Sequence, residues 1–316
     1  MAGSLSAPVK GALWMTFSAC GFAASIGLIR QVSHELHPLE IVFFRNLFGL
    51  LYMAPVALRA GRGFLRTRRH GLYALRAVFG LTAMMTWFTA ISLLPLAEAV
   101  ALSFTTPIFT TILAALVLRE AMRARRWAAV ALGFLGTLVI VRPGIAAFDP
   151  ASLIVIVSAL AFATSGIIIK ALSRTEHPNA IVTYMVIYLT PASLGPALWV
   201  WQTPEAVTFA LLAGIGAATT MGHIGLTRAY AATEATVIQP FGFSQLPFAA
   251  LIVYFAFGEV PGPWTWPGGA VIAGACLYLA RREAVEGRAS AASAADEPPP
   301  MAERAPGAAR PSGPAP

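Results

Sequence analysis

Three stretches of this chain set hydrogen-bonding side chains at helical spacing within apolar sequence. Ser103, Thr106, Pro107 and Thr110 fall at i, i+3, i+4 and i+7, with Phe104 beside them. Phe241, Ser244, Gln245 and Phe248 repeat that spacing, and Gly216, Thr219, Thr220 and His223 repeat it again. Such positions share one helix face. Hydroxyls, an amide, an imidazole and aromatic rings suit non-covalent recognition of a partly apolar, partly hydrogen-bonding small molecule. Bond-making chemistry is not indicated: the chain has no HExxH zinc motif, GxSxG elbow or Walker A loop. A single histidine with no nucleophile or metal partner is a poor basis for an enzyme, and no cofactor or metal is expected.

The elements that must hold these faces are apolar. The chain is 57% hydrophobic and 11% charged, with a mean hydropathy of +0.71, whereas soluble domains carry about 25% charged residues. Ten segments, near 11–30, 39–58, 72–93, 96–118, 126–142, 151–171, 180–201, 206–228, 235–257 and 264–280, approach the roughly 20 residues that span a bilayer. The expected fold is therefore an all-α integral membrane protein of ten transmembrane helices. A net charge of +8 would suggest nucleic acid in a soluble protein. Here the basic residues cluster between apolar segments, so the partner is the lipid bilayer and no nucleic acid is expected. Cys20 and Cys276 lie inside apolar segments and read as buried small hydrophobes.

The pattern is written twice. Residues 18–42 and 158–182 align without a gap at an offset of 140. Eleven positions are identical: Ser18/Ser158, Ala19/Ala159, Phe22/Phe162, Ala23/Ala163, Ser25/Ser165, Ile29/Ile169, Ser33/Ser173, His37/His177, Pro38/Pro178, Ile41/Ile181 and Val42/Val182. Glu120/Glu259, Trp127/Trp266 and Arg142/Arg281 follow at an offset of 139. Five segments per copy is an odd number, so the second copy enters from the opposite side, giving two inverted five-helix repeats. An internal repeat in an apolar chain marks transporter folds, with the site between the copies. With both termini inside, 19 of the 22 Lys and Arg residues face the cytoplasm, leaving Arg30, Arg45 and Arg142 outside. The positive-inside rule then sets the orientation in a cell (inner) membrane. The expected organisation is a cytoplasmic N-terminus at 1–10, repeats at 11–144 and 145–283, and a disordered cytoplasmic tail at 284–316.

The runs AEAVALSFTTPIFTTILAALVLREAMRARRWAAVALGFLGTLVIVRPG (97–144) and ATEATVIQPFGFSQLPFAALIVYFAFGEVPGPWTWPGGAVIAGACLYLARRE (232–283) carry a family resemblance. They resemble the ends of the two domains of EamA-type members of the drug/metabolite transporter superfamily. The marks are a small-Glu-Ala entry to segments 4 and 9, a mid-segment Pro, and the closing Glu120 and Glu259. FFRN at 43–46, PFGF at 240–243 and LYLARRE at 277–283 are similar to a branch that includes S-adenosylmethionine uptake carriers. The resemblance implies a ten-helix bundle whose central cavity is lined by helices 1, 3 and 4 and their partners 6, 8 and 9.

The residues point to most of the same helices. Pro107 and Pro247 sit near the middle of segments 4 and 9, where each removes a backbone hydrogen bond. In lipid that defect survives only against protein or a watery cavity. The expected binding residues are Ser103, Phe104, Thr106, Pro107, Thr110, Thr220, His223, Phe241, Ser244 and Gln245. For the repeated stripes Ser18/Phe22/Ser25 and Ser158/Phe162/Ser165, helix packing is expected ahead of ligand contact. Glycines 133, 136, 214, 216, 222 and 225 are expected to allow close helix contact. A packing role with a carbonyl partner is expected for His223 ahead of proton carriage. Arg45 is expected to snorkel outward or to pair with Glu40 or Glu98. Glu98 and Glu234 are expected to stabilise helix N-termini, Glu120 and Glu259 to hold nearby donors, and His37-Pro38 and His177-Pro178 to start helices. No Asp or Glu falls mid-segment. The expected function is thus alternating-access transport of a small organic solute, by uniport or exchange. The alternatives are a proton-coupled exporter of amino acids or drugs and, in another class, an intramembrane enzyme. A homodimer is left open.

Overall fold

The computed structural model describes residues 5–61, 63–94, 96–121, 123–141, 150–258, 260 and 262–296. Arg62, Arg142, Glu259, Arg304, Arg310 and the Glu98 side chain lie outside the described residues. The described chain is helical throughout: α1 (Ala7–Val32), α2 (Pro38–Ala60), α3 (His70–Leu93), α4 (Leu96–Ser103), α5 (Thr106–Val117), α6 (Ala124–Val141), α7 (Ser152–Leu172), α8 (Pro178–Leu198), α9 (Ala206–Ala232), α10 (Ala235–Gly242), α11 (Gln245–Phe257) and α12 (Thr265–Asp296). Among the described residues, seven spans meet a strict length-and-hydropathy test for crossing a membrane.

Ten segments become twelve helices because the fourth and ninth are each broken. Pro107 has no N–H to offer the Ser103 carbonyl. The Thr106 hydroxyl takes that carbonyl instead at 2.7 Å, while the hydroxyls of Thr105 and Ser103 take those of Leu102 (2.7 Å) and Val100 (2.8 Å). Pro247 leaves the Phe243 carbonyl in the same position, and the Leu246 N–H reaches it at 3.2 Å. The Ser244 hydroxyl serves Phe241 at 2.6 Å. Both prolines thus open the helix two to four residues upstream, and neighbouring hydroxyls and a backbone N–H satisfy the freed carbonyls that lipid could not.

The two copies pack alike. α1 lies along α9, and α7, the counterpart of α1, lies along α3, the counterpart of α9. Ser18 donates to the Gly222 carbonyl at 2.7 Å and Ser158 to the Ala83 carbonyl at 2.8 Å, so the repeated serines make the same bond in each half. His37 and His177 cap α2 and α8, their Nδ1 atoms accepting from Leu39 (3.3 Å) and Asn179 (3.2 Å), with Pro in the first turn as expected. Thr208 donates to Glu35 at one end of the bundle, and Thr67 to Glu176 at the other, arginine-rich end. The serine contacts and the histidine caps thus appear once in each copy, as a duplicated unit gives.

Close crossings rest on glycine. A Cβ on Gly222 would stand 2.8 Å from the Phe22 ring, and one on Gly136 would stand 2.9 Å from the Gly268 carbonyl between α6 and α12. The largest apolar cluster gathers Ile167, Leu172, Ile181, Ala229 and Ile238 from α7 to α10. Two features differ from the sequence reading. α12 runs to Asp296, into the stretch expected as tail, where its Ala, Glu and Arg residues favour helix. Cys20 is exposed on the outer face of α1 rather than buried, while Cys276 is half-buried with its thiol 3.3 Å from the Pro240 carbonyl.

Candidate functional site

The two helix breaks meet. Phe104, at the α4–α5 break, stacks on Phe243, at the α10–α11 break, with centroids 5.8 Å apart and planes at 22°. Val130, Ile272 and Phe134 from the flanking helices enclose the pair. Phe243 is fully buried, because Gly133 on α6 lets its ring lie against the helix backbone. Around this seam stand the hydroxyls expected to bind. Those of Ser103, Thr106, Thr110 and Ser244 each donate to a carbonyl three or four residues earlier, leaving their oxygen lone pairs as what they can offer a ligand. The Pro107 carbonyl is taken by Thr111 at 2.7 Å. Gln245 begins α11 half-buried, with no side-chain hydrogen bond among the described residues. Phe241 is turned away from the seam, packed with Ala12, Ala129 and Leu279.

Thr220 and His223 lie elsewhere, on the α9 face toward α1 and α2. Thr220 faces Gly49, where a Cβ would come 3.1 Å from its hydroxyl. The His223 ring meets Phe22 edge-on at 5.0 Å. Its Nδ1 is buried without a hydrogen-bond partner among the described residues, so the expected carbonyl contact is not formed there. The predicted residues therefore form two groups, one at the broken helices and one on α9, with α1 touching both α9 and the α10–α11 segment.

Two arginines that sequence reasoning did not place here lie near the second group. Arg76 is one of the 19 basic residues expected to face the cytoplasm, yet it sits inside α3, 3% exposed. It donates to the Ile181 carbonyl at 2.8 Å and to the Met185 sulfur at 3.3 Å. With the Glu98 side chain outside the described residues, Arg45 is half-buried and does not pair with Glu40. It points to the Met84 sulfur at 3.0 Å, while Glu40 accepts from the Gln202 backbone at 2.7 Å. The Nε atoms of both arginines are buried and unpartnered among the described residues. Met84 and Met185 share one apolar cluster that Ile224, the neighbour of His223, joins from α9. The signal was available in the repeat: at the matching places the second copy carries Met185 and Ile215.

At the arginine-rich end Glu120 holds nearby donors as expected, whereas Glu234 does not stabilise a helix start. Glu120, not Glu234, stabilises the start of α10, its two oxygens each accepting a backbone N–H, from Ala235 and Thr236, at 2.9 Å. Glu234 instead pairs with Arg126, which also donates to Thr236 at 2.9 Å. Gln239, off the polar stripe, donates to the Tyr230 hydroxyl at 3.1 Å.

Comparison with known proteins adds independent findings. The model of the EamA-like transporter family matches this chain twice, over residues 9–142 and 149–281. A riboflavin transporter of Vibrio cholerae is 30% identical, over 89% of this chain and 96% of its own length. An S-adenosylmethionine uptake transporter of Rickettsia prowazekii is 29% identical over 87% and 94%, and a pseudopaline exporter of Pseudomonas aeruginosa is 30% identical over 86% and 96%. One solved crystal structure shares the fold, with a TM-score of 0.74 at 16% identity over 86% of this chain and 98% of its own.

Proposed function

The chain belongs to the EamA-like transporter family, and from that premise we propose an inner-membrane secondary carrier that moves a small organic metabolite by alternating access. It works as a uniporter or exchanger, with both termini cytoplasmic, as the bias of 19 of 22 basic residues supports. The observation that carries the reading is the pair of breaks at matching places in the two copies, meeting through Phe104 and Phe243. Broken helices at equivalent positions in opposed repeats supply both a binding place and a point of flexure. Ser103, Thr106, Pro107, Thr110, Ser244 and Gln245 line the solute's place on one side, and Thr220 and His223 on the other. Phe104 and Phe241 hold the walls. The repeats span 11–144 and 145–283.

Relatives named for riboflavin, S-adenosylmethionine and pseudopaline support an organic solute over a bare ion. The lack of Asp or Glu at any span centre supports uniport or exchange. A proton-coupled exporter is the second reading, favoured by the unpartnered His223 Nδ1 and by the relative named as an exporter. Proteoliposomes preloaded with unlabelled riboflavin or S-adenosylmethionine decide between them. The expected result is uptake of labelled solute stimulated by internal unlabelled solute, unchanged by an imposed pH gradient. Uptake that needs the gradient selects the second reading. No movement of either compound, or of a panel of amino acids, vitamins and nucleoside derivatives, refutes the carrier.

A further inference from the structure

Arg76 is buried, Arg45 and His223 are half-buried with Nε and Nδ1 closed off, and among the described residues none of the three meets an acid. Of five guanidinium N–H groups on each arginine, Arg76 uses two and Arg45 one, and two of those three acceptors are thioether sulfurs. Thioether sulfur is a weak acceptor. No carboxylate pairs with either arginine among the described residues. Leaving water costs an ion several kcal/mol unless a partner compensates, so two such residues within spans call for a purpose.

The fold does not supply that purpose. The second copy builds the counterpart helices α8 and α9 with Met185 and Ile215 at the equivalent places. Snorkelling does not supply it either, since Arg76 is 3% exposed and both Nε atoms are closed off. Depth is informative too. At about 1.5 Å per residue, Arg45 lies roughly 10 Å along α2 from Pro38, at the end opposite the arginine-rich one. By the same rise, Arg76 lies about 9 Å along α3 from its start at the arginine-rich end, and His223 about 13 Å from that end along α9. The three groups therefore sit at successive depths around the cluster of Met84, Met185 and Ile224.

We infer that Arg45, Arg76 and His223 form an anion-recognition path within the bundle, and that the carried solute bears a carboxylate or phosphate group. This rests on the carrier reading for transport, but not for binding. A planar guanidinium presents paired donors that match either oxyanion. The His223 imidazole offers a further hydrogen bond between them. An entering anion supplies the acceptors the interior lacks, and the second arginine receives it as the first lets go.

The repeat also furnishes the variants. Arg45→Met and Arg76→Ile install the residues the second copy already tolerates, and Arg45→Lys and Arg76→Lys keep the charge without the planar fork. The purified full-length protein in nanodiscs is heated with sodium phosphate or sodium acetate, against sodium chloride at equal ionic strength. In the wild type, phosphate or acetate raises the unfolding temperature saturably over chloride. In Arg45→Met and Arg76→Ile that rise is lost while the anion-free unfolding temperature is equal or higher; in the Lys variants it needs about tenfold more anion, one lost charge-assisted contact. No rise over chloride in the wild type overturns the inference, as does an undiminished rise in either apolar variant. Should an apolar variant not fold, its Lys variant decides, and a wild-type response there overturns the path. Carriage is tested separately. Absence of solute movement in liposomes refutes the carrier and leaves the anion path, whereas unchanged transport by Arg45→Met refutes the path and leaves the carrier.

Discussion

Replacing Gly133 by Ala tests how the meeting of the two helix breaks is held. A Cβ there would lie 2.4 Å from Phe243 Cδ2 and 2.9 Å from its Cγ and Cε2. Carbon atoms rest at about 3.5–4.0 Å, so the overlap exceeds an ångström. The ring has no exit, because Phe243 is fully buried and stacked on Phe104. Overpacking costs about 1–3 kcal/mol, and so tight a contact belongs at the upper end. Ala gains back about 1 kcal/mol over Gly within a helix, leaving a net loss near 2 kcal/mol. Phe243→Ala removes Cγ, Cδ2 and Cε2, the atoms that collide, so in that background Gly133→Ala becomes neutral or stabilising. The pair is then coupled by about 2–3 kcal/mol, within the range for residues in contact. Reversible unfolding in mixed detergent micelles, followed by tryptophan fluorescence, measures all four corners of the cycle. Additive effects within about 0.5 kcal/mol, the tolerance for independent sites, would refute the claim that Gly133 exists to admit this ring. Transport measured alongside should fall in Gly133→Ala and recover in the double variant.

Other outcomes are expected. Ser18→Ala and Ser158→Ala each break one repeat-related helix contact, so the same unfolding assay should give similar losses, about 0.6–1.7 kcal/mol as for polar contacts between membrane helices. Glu120→Ala should cost about 2–3 kcal/mol by orphaning two N–H groups of α10, with Glu120→Gln recovering part since its amide oxygen can accept one. Gln245→Leu should weaken solute binding by about 1–3 kcal/mol, read by titration, without changing the unfolding midpoint, because Gln245 has no internal side-chain partner among the described residues. In a background lacking Cys20 and Cys276, Phe64→Cys should label from the cytoplasm and Thr203→Cys from the other side; the reverse at both positions overturns the proposed orientation.

Spacing and composition decided a good deal of this protein. Membrane insertion depends on the summed hydrophobicity of each span, a one-dimensional property, so the ten segments and the doubled unit are legible in the letters alone. The helix starts at His37-Pro38 and His177-Pro178 are local, set by a ring nitrogen two residues from its N–H partner. Pro107 and Pro247 announced the two interruptions for the same reason, since the missing donor belongs to the residue itself. What the letters leave open is which face of each helix meets which neighbour. Ser18 and Ser158 carried a pattern, but the carbonyls they bind lie on other helices. Glu234 read as the carboxylate at the start of α10 from its place in the chain, but the amides of α10 go to Glu120, over a hundred residues earlier, and Glu234 meets Arg126. Phe104 and Phe241 shared a sequence neighbourhood with polar residues, yet they pack into seams with other helices. Arg76 read as a cytoplasm-facing charge near a segment start because its burial depends on what encloses α3. Burial and pairing are properties of contacts between distant segments, so only tertiary structure could place two arginines and a histidine within the bundle with no acid beside them among the described residues.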